Sequence, residues 1–421
     1  VGINSAMPYR YILFLFLISI VACKPAKQTT VPILPKATVE VKQDTITKKA
    51  PVVIIQDTIN PTFTIGLVLP LQLNENFVED STADADPQII PQSIQALQFY
   101  EGCLLAQESF REKDIDVKFK IYDSGIDSTQ TVKLLKADNF EGCDAVVAML
   151  SSSFYTALGK ASRGAGIPFF ILQSPNTQVL DSFSGFWLST PSNSTQLRMM
   201  SSFLIEKFSS SNFIALSRDQ RKENDLAKFM AEQVDTIAKQ KGTCSIVNYT
   251  KTGGWAALQA KLSKQKRNVL IIPTGDESYL SSLINKLDEL NEEYSILLAG
   301  FPSWENFESI DPKRLEKFNT HIFNTTFLDL ELAKVKSYRK SFIDAYHTDP
   351  LLQAYQSNDL VNFIVTNIHN HDSRFDKYKS EPNFFNAKSG FDFEKKCSSC
   401  GFENHNLNIL KYSDYKLVKV N

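Results

Sequence analysis

Short apolar runs alternate with stretches of helical periodicity along most of this chain, and that alternation limits the folds open to it. The runs are "FTIGLVLPL" (63–71), "DVKFKIYDS" (116–124), "DAVVAML" (144–150), "IPFFILQS" (167–174), "GFWLST" (185–190), "NFIALSRD" (212–219), "CSIVNYT" (244–250), "NVLIIPT" (268–274), "YSILLAGF" (294–301) and "HIFNTTF" (321–327). Between them Ile94-Leu97-Tyr100-Leu104, Leu226-Met230-Val234-Ile237 and Leu280-Leu283-Leu287-Leu290 recur at steps of three and four, the spacing of one helical face. Strands alternating with helices form parallel sheets through helical crossovers. An open twisted sheet rarely exceeds about ten strands, so these runs divide most economically between two sheets. The expected fold class is α/β, with two doubly wound parallel-sheet lobes.

Most runs end in small polar residues or proline: Leu150-Ser151-Ser152-Ser153, Gln173-Ser174-Pro175-Asn176-Thr177, Ser189-Thr190-Pro191-Ser192, Pro273-Thr274-Gly275-Asp276 and Pro302-Ser303-Trp304. In open α/β sheets ligands bind beyond the carboxyl ends of the strands. Ser, Thr, Asn and Asp there also cap the helices that come next, so each residue carries both readings.

Ahead of the alternation, the apolar stretch from Tyr11 to Ala22 is short of the roughly 20 residues that span a bilayer. Met7, Arg10, the apolar run and Ala22 follow the order of a signal peptide. Ile20-Val21-Ala22-Cys23 resembles the lipobox of bacterial lipoproteins, which implies removal of 1–22 and acylation of Cys23. Residues 24–60 lack aromatic residues and glycine and are rich in Pro, Thr and Lys. Such a segment buries too little apolar surface to offset its ordering entropy, and is expected to be a tether reaching on the order of 35 Å. Its "PVVIIQ" is the one piece suited to an edge strand.

The formal charge of -2 argues against a nucleic-acid partner, which would need a basic excess on some domain. No Lys/Arg cluster in the sequence supplies one. Cys103, Cys143 and Cys244 read as buried small apolar residues. Cys397 and Cys400, in "KKCSSCGFENHN", have the spacing of a redox pair, but the approach is strand-like rather than a helix start. Zinc would need about two further ligands, so a local disulfide is expected. No phosphate-binding loop, nucleophile elbow or zinc helix appears, so neither an enzyme nor a cofactor is expected. His369 and His371 point apart on a helix and read as a solvated helix end.

Six segments in order resemble the type I periplasmic binding proteins, especially the branched-chain amino-acid and amide receptors. They are "TIGLVLPL", "ALQFYEGCLLAQESF", "IYDSGIDSTQTVKLLK", "AVVAMLSSSFYTALGKASRGAGIPFFILQSPNT", "FWLSTPSNSTQLRMMSSFL" and "YRKSFIDAYHTDPLLQAYQSNDLVNFI". The resemblance implies two lobes joined by a three-strand hinge, with ligand gripped by hydroxyls and backbone N–H groups after the third and fourth strands. Carried over, Ser152 with Ser151 and Ser153 meets a ligand carboxylate, and Ser174, Asn176 and Thr177 lie beside it. Thr274, Ser303 and Trp304 would face the ligand from the second lobe. That lobe departs from the pattern, reading "SRDQRKEND" and Phe301-Pro302-Ser303-Trp304-Glu305. Arg218 or Arg221 facing an acidic ligand, or a solvated helix start, are the alternatives for the first segment. Trp187, Trp255 and Trp304 read as a stacking wall or as core.

The expected layout is signal peptide 1–22, tether 23–60, lobe one 61–191, lobe two 192–325, lobe-one return helices 326–384, and a crossover with second-lobe strands 385–421. Two functions fit this layout. One is a lipid-anchored periplasmic receptor closing on a small polar ligand for uptake through a transporter, or for sensing. The other is an interaction module of the same fold regulating an envelope enzyme such as a peptidoglycan synthase. Lys24 after the anchor favours the outer membrane over the inner.

Overall fold

The computed structural model describes residues 60–421 except 77–88, 126, 173–176, 251–252, 291 and 372–389. The signal peptide, Cys23, the tether with its "PVVIIQ", Ser174 and Asn176 lie outside the described residues. Thr58–Asn421 forms one compact unit.

All ten apolar runs form strands. The first sheet takes β1 (Thr62–Leu69), β2 (Asp116–Asp123), β3 (Ala145–Ala148), β4 (Phe169–Ile171) and β5 (Phe186–Leu188). The second takes β6 (Asn212–Ser217), β7 (Cys244–Asn248), β8 (Asn268–Ile271), β9 (Ile296–Ala299) and β10 (His321–Asn324). Neighbouring strands within each of these sets run parallel. Four short strands complete the sheets: β11 (Phe393–Lys395), β12 (Phe402–Asn404), β13 (Asn408–Ser413) and β14 (Lys416–Lys419). The orders are β11-β12-β5-β4-β3-β1-β2 and β14-β13-β10-β9-β8-β6-β7. Each sheet is therefore mixed rather than purely parallel, because β11–β12 and β10–β13–β14 pair antiparallel at one edge. Passing from β5 to β6, from β10 to β11 and from β12 to β13, the chain moves between the sheets three times.

The helices are α1 (Leu73–Asn76), α2 (Pro91–Arg111), α3 (Ser128–Leu134), α4 (Tyr155–Ala165), α5 (Gln178–Ser182), α6 (Asn193–Phe208), α7 (Arg221–Ile237), α8 (Gly254–Gln259), α9 (Glu277–Leu290), α10 (Pro312–Lys317), α11 (Ala333–Tyr346) and α12 (Leu352–His371). Alternate residues of a strand face opposite sides of its sheet, and here both sides are covered. Leu67, Val147, Phe170 and Trp187 pack against Phe99 of α2 and Phe363 of α12. Val68, Val146, Phe169 and Phe186 pack against Leu158 of α4. In the second sheet Ile214 and Leu270 face Leu283 of α9, while Phe213 and Val269 face Met230 of α7. That two-sided burial is why most of the runs read as continuously apolar, whereas β2 at the edge alternates. Gly102 lets α2 lie against α12: a Cβ there would sit 2.3 Å from the Ala354 carbonyl oxygen.

The turn between β11 and β12 carries a Cys397–Cys400 disulfide, and Cys103, Cys143 and Cys244 are buried free thiols. His321 opens β10 almost fully buried, its Nδ1–H donating to the Asn319 carbonyl at 2.8 Å. Burial, with Lys411 and Arg267 nearby, lowers its pKa to about 4. Between that value and the ordinary one the unfolded chain binds a proton that the folded chain refuses. Stability is therefore expected to be full above pH about 6.5 and to fall steadily toward pH about 4. Urea titrations across this window should show the slope, and His321→Gln should flatten it; an unchanged slope would mean that His321 is protonated in the fold.

Candidate functional site

Ligands of open α/β sheets are reached from the carboxyl ends of the strands, so the site is built from the segments just beyond those ends. After β3 the chain enters a tight turn at Ser152–Phe154 that feeds α4. Ser151, Ser152 and Ser153 are all exposed, and the Ser151 and Ser153 hydroxyls lie 2.6 Å apart. Thr177, half-buried, precedes α5 without capping it. This side presents open hydroxyls.

The second sheet presents the opposite. Arg218, directly after β6, is only 7% exposed. Its Nε–H and one Nη2–H donate to the two carboxylate oxygens of Glu223 at 2.6 and 2.5 Å. Nη1 reaches Asp276 at 2.8 Å and Nη2 also reaches the Thr274 hydroxyl at 3.2 Å. Four of the five guanidinium N–H groups are thus committed within the lobe. Thr274 donates in turn to Glu223 at 2.9 Å. The guanidinium lies 4.3 Å from the centre of the Tyr279 ring, and burial pushes the pKa of that phenol up. The Tyr279 backbone N–H, together with Arg218, holds the Asp276 carboxyl below its usual range. A bidentate pair in a desolvated setting is strong and geometrically fixed.

No protein-family model matches the chain, and no curated protein matches it. Solved structures do. A putative branched-chain amino acid ABC transporter from Rhodospirillum rubrum matches with a TM-score of 0.57 and 12% identity, over 85% of this chain and 100% of that one. The LpoA (YraM) C-domain from Haemophilus influenzae, a regulator of PBP1A, matches with a TM-score of 0.54 and 11% identity over the same shares. An ABC transporter substrate-binding protein from Desulfitobacterium hafniense in complex with Leu matches with 0.50 and 14%, again over 85% and 100%. The fold is that of a type I periplasmic binding protein.

Within this type I fold the expected residues separate into two groups. Ser151, Ser152, Ser153 and Thr177 stand at the carboxyl ends of the first sheet, three of them open to solvent. Thr274 and Trp304, expected as ligand contacts, are instead 2% and 1% exposed. The physical reason is that Thr274 completes the Arg218–Glu223 network, while Trp304 Nε1–H donates to the Thr274 carbonyl at 2.9 Å. Ser303 is half-buried with its hydroxyl against Gly275. Trp187 is core, stacked on Phe402 with ring centres 3.8 Å apart. Trp255 is half-buried beside Tyr249. These rings form no wall. Arg221 is the solvated helix start, its side chain 96% exposed.

Sequence reasoning missed Glu223. A buried carboxylate in the first turn of α7 looks like an ordinary favourable helix-start charge, and only its spacing from Arg218 hinted at a pair. Among the described residues no group of three or more His, Cys, Asp or Glu is placed to hold a metal ion.

Proposed function

We propose that this chain is a non-catalytic binding protein of a bacterial cell envelope, held to a membrane through acylated Cys23, whose two-lobed body engages a protein partner. The observation that carries this reading is the Arg218–Glu223–Thr274–Asp276 network at the strand ends of the second lobe. A receptor that closes on a small ligand needs unsatisfied donors or acceptors from both lobes, since only differential contacts favour closure. Here the Glu223 and Thr274 side chains are taken up by Arg218 and by one another, although the buried Tyr249 and Tyr279 hydroxyls beside them have no partner. The similarity to the LpoA C-domain, described as a regulator of PBP1A, supports a partner of the same kind, an envelope enzyme such as a peptidoglycan synthase. The outer membrane and the periplasm are the expected setting.

The test is a thermal melt of Thr58–Asn421 against amino acids, short peptides and muropeptides at millimolar concentration, alongside crosslinking of the full chain in cells. No shift is expected, and the crosslinked product should contain an envelope enzyme whose capture survives Ser152→Ala. A second reading, the solute receptor, is favoured by the open Ser151–Ser153 hydroxyls. It predicts a ligand-induced rise in melting temperature, and a loss of about 1.5–3 kcal/mol of binding in Ser152→Ala. That outcome would replace the first reading.

A further inference from the structure

Two turns bring a concentration of cations to one end of the second sheet. In the order β7-β6-β8 all three strands are parallel, so the segments preceding β7 and β8 lie at the same edge, the amino-terminal one. The first carries exposed Lys239 and Lys241, the second exposed Lys261, Lys264, Lys266 and Arg267. In the sequence these are two separate short stretches, which the strand order brings to one end.

Both turns are held from inside. Asn268 is fully buried; its Oδ1 accepts from the Ser263 backbone N–H and from Asn212 Nδ2, each at 2.8 Å, and its Nδ2 donates to the Ser263 carbonyl at 2.9 Å. The Asn212 side chain also donates to the Lys261 carbonyl at 2.8 Å. Asp235 does the same for the other turn, accepting from the Gly242 and Cys244 N–H groups at 2.7 and 2.9 Å. Its charge is therefore turned toward backbone. β9 is parallel to β8, so the turn before it lies at the same end and brings exposed Glu292 and Glu293, the latter paired with Lys264. Over the whole chain Asp and Glu outnumber Lys and Arg, 47 to 45. The six cations of the two turns thus exceed the two carboxylates before β9, in a chain that is near neutral overall.

We propose that this end of the second lobe docks on an anionic phospholipid surface. Lysine predominates over arginine here, and a lysine ammonium is a strongly hydrated point charge on a flexible stem, whereas bidentate recognition of a defined carboxylate uses the arginine fork. Mobile point charges on braced turns suit a diffuse negative potential. Each Lys or Arg near an anionic leaflet contributes about 1 kcal/mol, so several together bind measurably while remaining sensitive to salt. The inference does not depend on what the strand ends bind.

The experiment is co-sedimentation of Thr58–Asn421, which carries both sheets and the cores described above, with vesicles of phosphatidylcholine alone or with phosphatidylglycerol added, at low and high salt. Binding is expected only to the anionic vesicles and only at low salt. The variant K239N/K241S/K261S/K266S, with asparagine where Lys239 has a φ of 53°, should lose about fivefold in partition per charge removed. A control, K118S/K160S/K336S/K340S, removes the same charge from exposed positions of the first lobe and should lose far less. Equal loss in the control, binding to neutral vesicles, or no loss in the first variant would overturn the proposal. So would saturable capture of poly-glutamate without vesicle binding, which would assign the surface to an acidic protein.

Discussion

Arg218→Ala is expected to destabilise the body by about 3–5 kcal/mol, read as a fall in urea midpoint at constant slope. The substitution leaves Glu223, 8% exposed, without its bidentate partner, and Thr274 without one of its donors. A buried carboxylate deprived of its counter-charge costs far more than the pair gained, because desolvation is no longer offset. Glu223→Gln should cost less than Arg218→Ala, since the amide keeps one acceptor toward the guanidinium. Replacing both, as Arg218→Met with Glu223→Leu, should recover much of the loss, because an apolar pair of similar volume needs no compensation. An Arg218→Ala variant within about 0.5 kcal/mol of the parent, the range of ordinary surface substitutions, would mean that Glu223 is hydrated. The second lobe's strand ends would then be accessible to ligand after all, and the receptor reading would gain.

The strand plan was legible because burial on both faces leaves a local mark. Most of the ten runs, such as Ala145–Ala148 or Ile296–Ala299, are apolar at consecutive positions and bounded by turn residues, while β2 at the sheet edge alternates. The late edge strands β11 and β14 left no such mark. Phe393–Lys395 buries one residue of three, and Lys416–Lys419 buries none, so neither rises above the background of a loop. The segment "LNILKYSDYKLVKV" folds as the β13–β14 hairpin, turned at Asp414 and Tyr415, both at positive φ. At the candidate site the serines after β3 were visible as a local motif. The Arg218–Glu223–Asp276 network was not, because Asp276 belongs to a different strand end and enters only through the parallel pairing of β6 with β8. Lys239 and Lys261 likewise come to the same end of the sheet only through that strand order.

Trp304→Ala should cost about 3–5 kcal/mol, the range for emptying an aromatic from a closed core. The indole is 1% exposed and packs among Leu298, Ile310 and Tyr412. It also lies so close to Gly300 that a Cβ there would come within 2.3 Å of its ring. The more discriminating variant is Trp304→Phe. It keeps most of the apolar contact but removes the Nε1–H, leaving the buried Thr274 carbonyl without that donor, at a cost of about 1–3 kcal/mol. A tryptophan that faced a ligand would behave differently: truncation would cost little stability, and any bound solute would lose its stacking surface. Because Thr274 both accepts from Trp304 and completes the Arg218–Glu223 network, the two prospective ligand contacts are structurally coupled. Trp304→Phe and Arg218→Ala combined should therefore destabilise by an amount different from the sum of the single effects, as expected for residues sharing a partner. Simple additivity would mean that the two groups act independently and that the strand ends of the second lobe are not one closed unit.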